Sequence, residues 1–438
     1  MLSAWKRNTK RWAFASLAVC SLSFSSLVRA EDWPEWMGTG RQGEIRESGL
    51  VKSIPAGGLK VLWRVPIHGG YAGPAVAKGR VYVSDYDLKA GKNTNNPGGR
   101  DELDGIERIL CLDAATGKQL WAHEYDRHYF LSYGSGPRAT PTVDGDKVYA
   151  LGAEGDLICL ESSNGKVVWQ KNLATTYKSE SPIWGHSASP LVYGNLLICL
   201  AGGEGSVVVA LDKQTGKEVW RALSASEIGY CAPTIFKHSS GDQLIIWHAE
   251  ALNALEPKTG KVIWTAPLKP SYGMSIAAPR IVDNKMYASG IGEVGAMFEI
   301  AADGKSVSEL WRGKGRTNAL YSANAGPLFD GKSLYGADCG SGAFVGVNAA
   351  DGKRYWETFE PTAGGTRRAS HGTAFVVKYD DVAYLFSETG DFIIALTPES
   401  TTRSAAFSCP RTRRRCVRSA GRVEPSGLRK QTSLRSQR

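Results

Sequence analysis

LDAATGKQLW (residues 112–121), LESSNGKVVW (160–169), LDKQTGKEVW (211–220), LEPKTGKVIW (255–264) and VNAADGKRYW (347–356) are five copies of one ten-residue unit. In each copy an aliphatic residue stands five positions before a Gly, and a Trp stands four positions after it. A looser sixth copy, AADGKSVSELW (301–311), reaches its Trp after a longer return. The unit reads as a β-hairpin. An apolar strand ends at the Leu, and the Asp/Glu and Thr/Asn side chains bond local backbone in the turn. The Gly takes φ > 0 at little cost, and the Trp opens the return strand.

Working outward, a second hairpin precedes the first in each unit. TPTVDGDKVYAL (140–151), SPLVYGNLLICL (189–200), PRIVDNKMYAS (279–289) and GPLFDGKSLYG (326–336) each place two short apolar runs around a Gly, Asn or Asp turn. Two hairpins make four antiparallel strands. The repeat tryptophans fall at Trp63, Trp121, Trp169, Trp220, Trp264, Trp311 and Trp356, a spacing of 44 to 58 residues. That period predicts an all-β fold, a β-propeller of four-stranded antiparallel blades with each Trp docked between neighbouring blades. Trp63, in VLWRV (61–65), has no upstream hairpins of its own and reads as an orphan outer strand that pairs with the last blade. The widest gap holds a Gly/Asn/Asp-rich insertion near residues 87–107, read as a solvated surface loop. Its acids Asp101, Glu102, Asp104 and Glu107 are a calcium set on paper, but the plain loop is the favoured reading.

The formal net charge of +10 does not mark a nucleic-acid face. Residues 401–438 hold ten Arg and one Lys against Glu424 alone, and residues 1–30 hold five basic residues and no acid. The remaining body carries 37 basic and 42 acidic residues, a mildly acidic balance. Residues 1–30 read as a signal peptide: basic residues to Arg11, an apolar and small-residue run from Trp12 to Val28, then Val28-Arg29-Ala30 for cleavage. The run is short and Ser-rich for a membrane anchor. Cys20 follows Val19, a poor lipidation context. The chain then divides into an N-terminal extension (31–58), the propeller (59–400) and a tail (401–438). Cys111, Cys159 and Cys199 sit in apolar runs and read as buried small hydrophobes, and no cysteine or histidine spacing suggests a metal site.

The Leu-Asp-x-x-Thr-Gly-Lys-x-x-Trp unit resembles the tryptophan-docking repeat of pyrroloquinoline-quinone (PQQ)-like propellers. Asp32-Trp33-Pro34-Glu35-Trp36, GGEGSVVVALDKQTGKEVWRAL (202–223), SYGMSIAAPR (271–280) and RRASHGTAF (367–375) extend the likeness. Together they resemble the secreted PQQ-like propellers abundant in planctomycete bacteria. The resemblance implies eight blades and a periplasmic or exported protein. Its relatives include both quinoprotein alcohol dehydrogenases and a subunit of the outer-membrane assembly machine, so the repeat specifies fold better than chemistry.

Two functions compete. A quinoprotein alcohol dehydrogenase would hold PQQ and Ca²⁺ in the central channel, and needs convergent carboxylate ligands and, in this family, adjacent cysteines. The chain has no Cys-Cys pair, and the segments leading into the innermost strands carry no Asp or Glu. The favoured reading is therefore an exported, non-catalytic scaffold that binds a protein or envelope ligand, with no cofactor and no metal expected. Those lead-in segments converge on one mouth of the channel. Arg138, Trp184, His186, Tyr230, Tyr321, Asn324, Arg368 and His371 are expected to ring it and to attract an anionic ligand, unless they merely cap strand ends. GIGEVG (290–295) fits G-x-G-x-x-G but is followed by another strand and not a helix, so it is no dinucleotide site.

Beyond residue 400 the alternation stops and Trp vanishes. Such a basic, core-poor stretch is expected to be disordered. A reading-frame shift near codon 397 is the favoured cause over a natural tail. On that reading the ring is left open, with a seventh unit (375–396) lacking its outer strand. On the rival reading the Trp63 strand completes that unit.

Overall fold

The computed structural model describes residues 31–365 and 372–395, together with the backbone of the strands Arg403–Ser408 and Cys416–Ala420. Seven four-stranded antiparallel sheets follow one another along the chain, each with its strands in sequence order from inner to outer edge. Blade 1 covers residues 75–131, blade 2 142–172, blade 3 191–222, blade 4 234–267, blade 5 280–312, blade 6 328–358 and blade 7 374–408. Helix is confined, among the described residues, to single turns such as Leu173–Tyr177 and Glu360–Ala363. The expected β-propeller is what forms.

The core lies between blades and not inside any one of them. Tyr149, Leu157 and Cys159 of blade 2 pack against Leu197, Val209 and Leu211 of blade 3. Ile245 and Trp247 of blade 4 likewise meet Met286 and Phe298 of blade 5. A strand's alternating faces serve two neighbouring seams, which is why the central strands read as near-continuous apolar runs.

Each repeat turn is built as its residues dictate. Thr116 donates from both its amide and its hydroxyl to the Asp113 carboxylate, at 2.8 and 2.7 Å, and the Thr116 hydroxyl holds that carboxyl below its ordinary range. Gly117 has φ +73°, and a Cβ there would come within 2.7 Å of the Trp63 ring. The same clash awaits a Cβ on Gly165 under Trp121, Gly216 under Trp169, Gly260 under Trp220 and Gly352 under Trp311. The repeat Gly is thus fixed twice, by its backbone angle and by the indole lying on it. The indole Nε1 of these five, Trp63, Trp121, Trp169, Trp220 and Trp311, donates to the third residue of the neighbouring turn: Ala114, Ser162, Lys213, Pro257 and Ala349. Trp264 differs. Its Nε1 donates to Gln243 Oε1 at 3.1 Å, and Gln243 Nε2 relays the contact to the Gly304 carbonyl at 2.7 Å. This is the seam of the looser sixth copy.

Three expectations are corrected. The insertion is no free loop: it lengthens the middle strands of blade 1 to Arg80–Gly91 and Asp101–Asp113, with Gln119–Leu131 beside them. Blade 7 does have a fourth strand, Arg403–Ser408, inside the stretch expected to lack regular structure. The Trp63 strand, Val61–Pro66, does not complete blade 7; it pairs antiparallel with Cys416–Ala420 in a separate two-stranded sheet.

The N-terminal extension crosses the channel. Trp33 pairs with Val76 of blade 1, and Pro34 accepts from the Val143 amide of blade 2. Arg41, 1% exposed, donates to the Ser189 and Pro190 carbonyls before blade 3 and to the Pro233 carbonyl before blade 4. Arg280 of blade 5 donates to the Arg41 carbonyl at 3.0 Å and to the Pro327 carbonyl at 2.8 Å. Glu44–Ile45 then adds a parallel strand inside blade 7. One strap therefore touches six of the seven blades.

Candidate functional site

The lengthened strands of blade 1 project on the side where chains lead into the innermost strands, and their tip is laid over the mouth. The Pro97 carbonyl accepts from Trp184 Nε1 at 3.2 Å. Arg100 donates to Phe130 O and Ser181 O at 2.8 and 3.0 Å. Ser132 Oγ donates to Asn96 O at 2.5 Å.

Under this cover the structure gathers four of the expected mouth residues. Trp184 and Tyr230 meet ring to ring, 5.6 Å between centroids. Arg138 lies over the Tyr71 ring at 5.2 Å and donates to the carbonyls of Gly136, Ser132 and Tyr133. His186 is 2% exposed, and neither ring nitrogen finds a hydrogen-bond partner among the described residues. Burial, reinforced by the Arg127 charge, pulls its pKa down to about 4, so it is neutral at pH 7. Among the described residues the Tyr230 hydroxyl is also buried without a hydrogen-bond partner, and burial pushes its pKa up. Tyr321 stands apart, its hydroxyl bonded to Gly315 O at 2.8 Å. Asn324 is exposed. Arg368 and His371 lie outside the described residues. The expected ring of anion-seeking cations is therefore only partly assembled. His186 is uncharged, and Arg138 donates to the carbonyls of Gly136, Ser132 and Tyr133.

Sequence reasoning missed a buried, strongly perturbed carboxyl. Glu107, read as part of a surface loop, is 1% exposed. Its carboxylate accepts from the Tyr129 hydroxyl at 2.6 Å. Burial raises its pKa to about 7, against the lowering effect of Tyr129. Gly152 of blade 2 makes room: a Cβ there would come 2.5 Å from Glu107 Oε1 and 2.7 Å from the Tyr125 hydroxyl. Beside it, Arg127 pairs with Asp156 of blade 2 at 2.9 Å. This cluster latches blade 1 to blade 2. Leu103, Gly105, Glu107 and Ile109 share the buried face of this strand, but in the sequence the apolar Ile106 falls on the opposite face, so no clear alternation marked it.

Among the described residues, the axis does not present the ligands that PQQ with Ca²⁺ would need. A calcium site needs several converging oxygens, with carboxylates among them. The axis instead receives the guanidiniums of Arg41 and Arg280, which hold the inner-strand carbonyls. Among the described residues no group of three His, Cys, Asp or Glu is placed to hold a metal ion.

This architecture and its docking geometry define a PQQ-like β-propeller repeat protein. A family model described as outer membrane protein assembly factor BamB matches residues 106–358, and the chain belongs to that family. Among curated relatives, it is 34% identical over 120 residues to quinohemoprotein alcohol dehydrogenase ADH IIB of Pseudomonas putida, covering 26% of this chain and 17% of the relative. It is 24% identical over 152 residues to BamB of Shewanella oneidensis, covering 34% of each chain. The alignments thus span a third or less of these relatives. Two solved structures share the fold. BamB from Moraxella catarrhalis aligns with TM-score 0.54 and 16% identity over 80% of this chain and 88% of that one. Quinohemoprotein alcohol dehydrogenase from Comamonas testosteroni aligns with TM-score 0.58 and 14% identity over 86% and 73%.

Proposed function

We propose that this protein is an exported, non-catalytic β-propeller that serves as a ligand- or protein-binding scaffold in the cell envelope, periplasmic or secreted. The observation that carries the reading is the strap. Residues 33–45 run across the inner edges of the blades, and Arg41 is sealed against three carbonyls that lead into the inner strands of blades 3 and 4. The likeness to an outer membrane protein assembly factor supports an envelope setting. No helix among the described residues is long and apolar enough to cross a membrane.

A partner would engage the mouth face. Tyr71 is 41% and Phe130 49% exposed, and half-buried Trp184 meets Tyr230 ring to ring. Aromatic and Arg side chains of this kind make binding hot spots. The mildly acidic body argues against a nucleic-acid partner.

The rival reading, a PQQ/Ca²⁺ alcohol dehydrogenase, draws on the likeness to quinohemoprotein enzymes. A dye-linked alcohol oxidation assay with added PQQ and Ca²⁺ separates the two. The scaffold reading expects dye reduction no faster than the enzyme-free control. Turnover that disappears on chelation would replace it with the dehydrogenase.

A further inference from the structure

The strap begins at a contact that the proposed function does not use. The backbone nitrogen of Glu31 donates to the Glu47 carboxylate. In return the Glu31 carboxylate accepts from the Arg46 amide at 2.9 Å. Two residues later Trp33 pairs with Val76 and starts across the channel. Glu31 is thus pinned on the turn that follows Glu44–Ile45, the strand that binds the strap's far end to blade 7. The strap is clasped at its own two ends.

Glu31 also directly follows Val28-Arg29-Ala30, the stretch whose small residue suits cleavage by an export-site peptidase. We propose that the chain is cut after Ala30 and that the ammonium so created on Glu31 forms an ion pair with Glu47, clasping the strap. Hydrolysis adds one water across the Ala30–Glu31 peptide bond. Ala30 keeps the new carboxylate, and Glu31 receives the amine, which takes a proton from solvent. Before the cut this nitrogen carries one N–H and no charge. After it, the nitrogen carries three donors and a positive charge 16 residues from its partner carboxylate in sequence. Charge assistance strengthens a hydrogen bond that already has its geometry.

A free α-ammonium titrates near pH ~8, and the carboxylate beside it raises that value. The stabilisation is therefore present below pH ~8 and is lost as pH rises through the raised value. The other charges around the clasp are the Glu31 carboxylate, Asp32, Glu44, Arg46 and Lys378, with Lys378 bonded to Glu44 at 3.1 Å. Ordinary carboxylates and Arg do not titrate near pH 8, and a Lys does so only well above it.

The processing step presupposes export, whereas the clasp does not, so two arms test them apart. In the first, the full-length chain is secreted from a bacterial host and its N-terminus is read by intact mass and N-terminal sequencing. The expected first residue is Glu31; any other start overturns the processing site. In the second, the chain is released by an engineered protease site either with Glu31 first or with a Gly-Ser extension before it. Both forms are melted from pH 6.5 to 10.5. The Glu31 form is expected to melt higher by about 1–2 °C at pH 7. The difference should vanish at the alkaline end, and at every pH in Glu47→Gln. Equal melting of the two wild-type forms at pH 7 overturns the clasp, as does a difference that persists in Glu47→Gln. Failure of either arm leaves the dye-linked assay result standing, so it is not confused with failure of the scaffold reading.

Discussion

The seam between blades 1 and 2 and the seam between blades 6 and 7 use the same repeat and end differently. At the first, Trp121 is 8% exposed, its ring lies on Gly165 and its Nε1 donates to Ser162 O at 3.1 Å. At the second, half-buried Trp356 lies against its own blade, near Tyr335 and Phe344. Beside it opens an apolar cleft of about 390 Å³, lined by Leu328 and Tyr335 on one side and Val376 and Leu385 on the other. In the sequence, the position five after Leu396, which is Gly in the five regular copies, is Thr401. At the five ring-on-glycine seams a Cβ would come within 2.5 to 2.9 Å of the indole. Each of those indoles rests on the next blade's glycine, so stability here is a property of neighbouring pairs.

The largest test of that contrast is paired truncation. Trp220→Ala removes a 9% exposed ring and its bond to Pro257 O, and should cost about 3–5 kcal/mol. Trp356→Ala, beside an existing cleft, should cost less than half as much. Urea midpoints with unchanged slopes measure both, and equal losses would remove the distinction between the seams.

The tight seam has a second device, and it is sensitive to pH. Glu107 is fully buried and its pKa is raised to about 7 from an ordinary 4.5. A carboxyl raised on folding holds its stabilising proton below the unfolded value and loses it as pH climbs. Between pH 4.5 and 7 this group should withdraw on the order of 3 kcal/mol. Glu107→Gln should flatten that slope and leave the variant more stable than wild type at pH 8. His186, lowered to about 4, acts in the opposite sense as pH falls from 6.5 to 4, so the clean window is above pH 6.5. Stability that rises from pH 6.5 to 8 only in wild type would contradict the assignment.

Glycine substitution gives a smaller, more local contrast. Gly260 has φ +72° and lies under Trp220, whereas Gly145 has φ +61° with nothing within 4 Å of a new Cβ. Gly145→Ala should cost about 1 kcal/mol for the backbone angle alone. Gly260→Ala adds a steric clash and should cost about 2–3 kcal/mol. Matching losses would mean that the indole does not rest on the glycine.

The blades were legible because they repeat: five copies of a turn at a fixed offset to Trp, with a looser sixth, leave one physical solution. The strap was not legible, since Arg41 acts through backbone carbonyls of Ser189, Pro190 and Pro233 and those carry no side-chain signature. The same limit hid the mouth's real state. Arg138, chosen as an anion ligand, spends its donors on carbonyls supplied by its own loop. Glu107 was misread because acids in a Gly/Asn-rich stretch look solvated one at a time; its burial comes from strand pairing and from blade 2 packed against it, where Gly152 leaves the room.

If the strap fills the axis, a channel cofactor has no place to add stability. Any ligand that binds only the folded state must raise the melting temperature, by an amount that grows with its concentration over Kd. The direct measurement is the melting curve of the purified protein with and without saturating PQQ and Ca²⁺. The account predicts superimposable curves. A saturable rise in Tm that requires both PQQ and Ca²⁺ would contradict it.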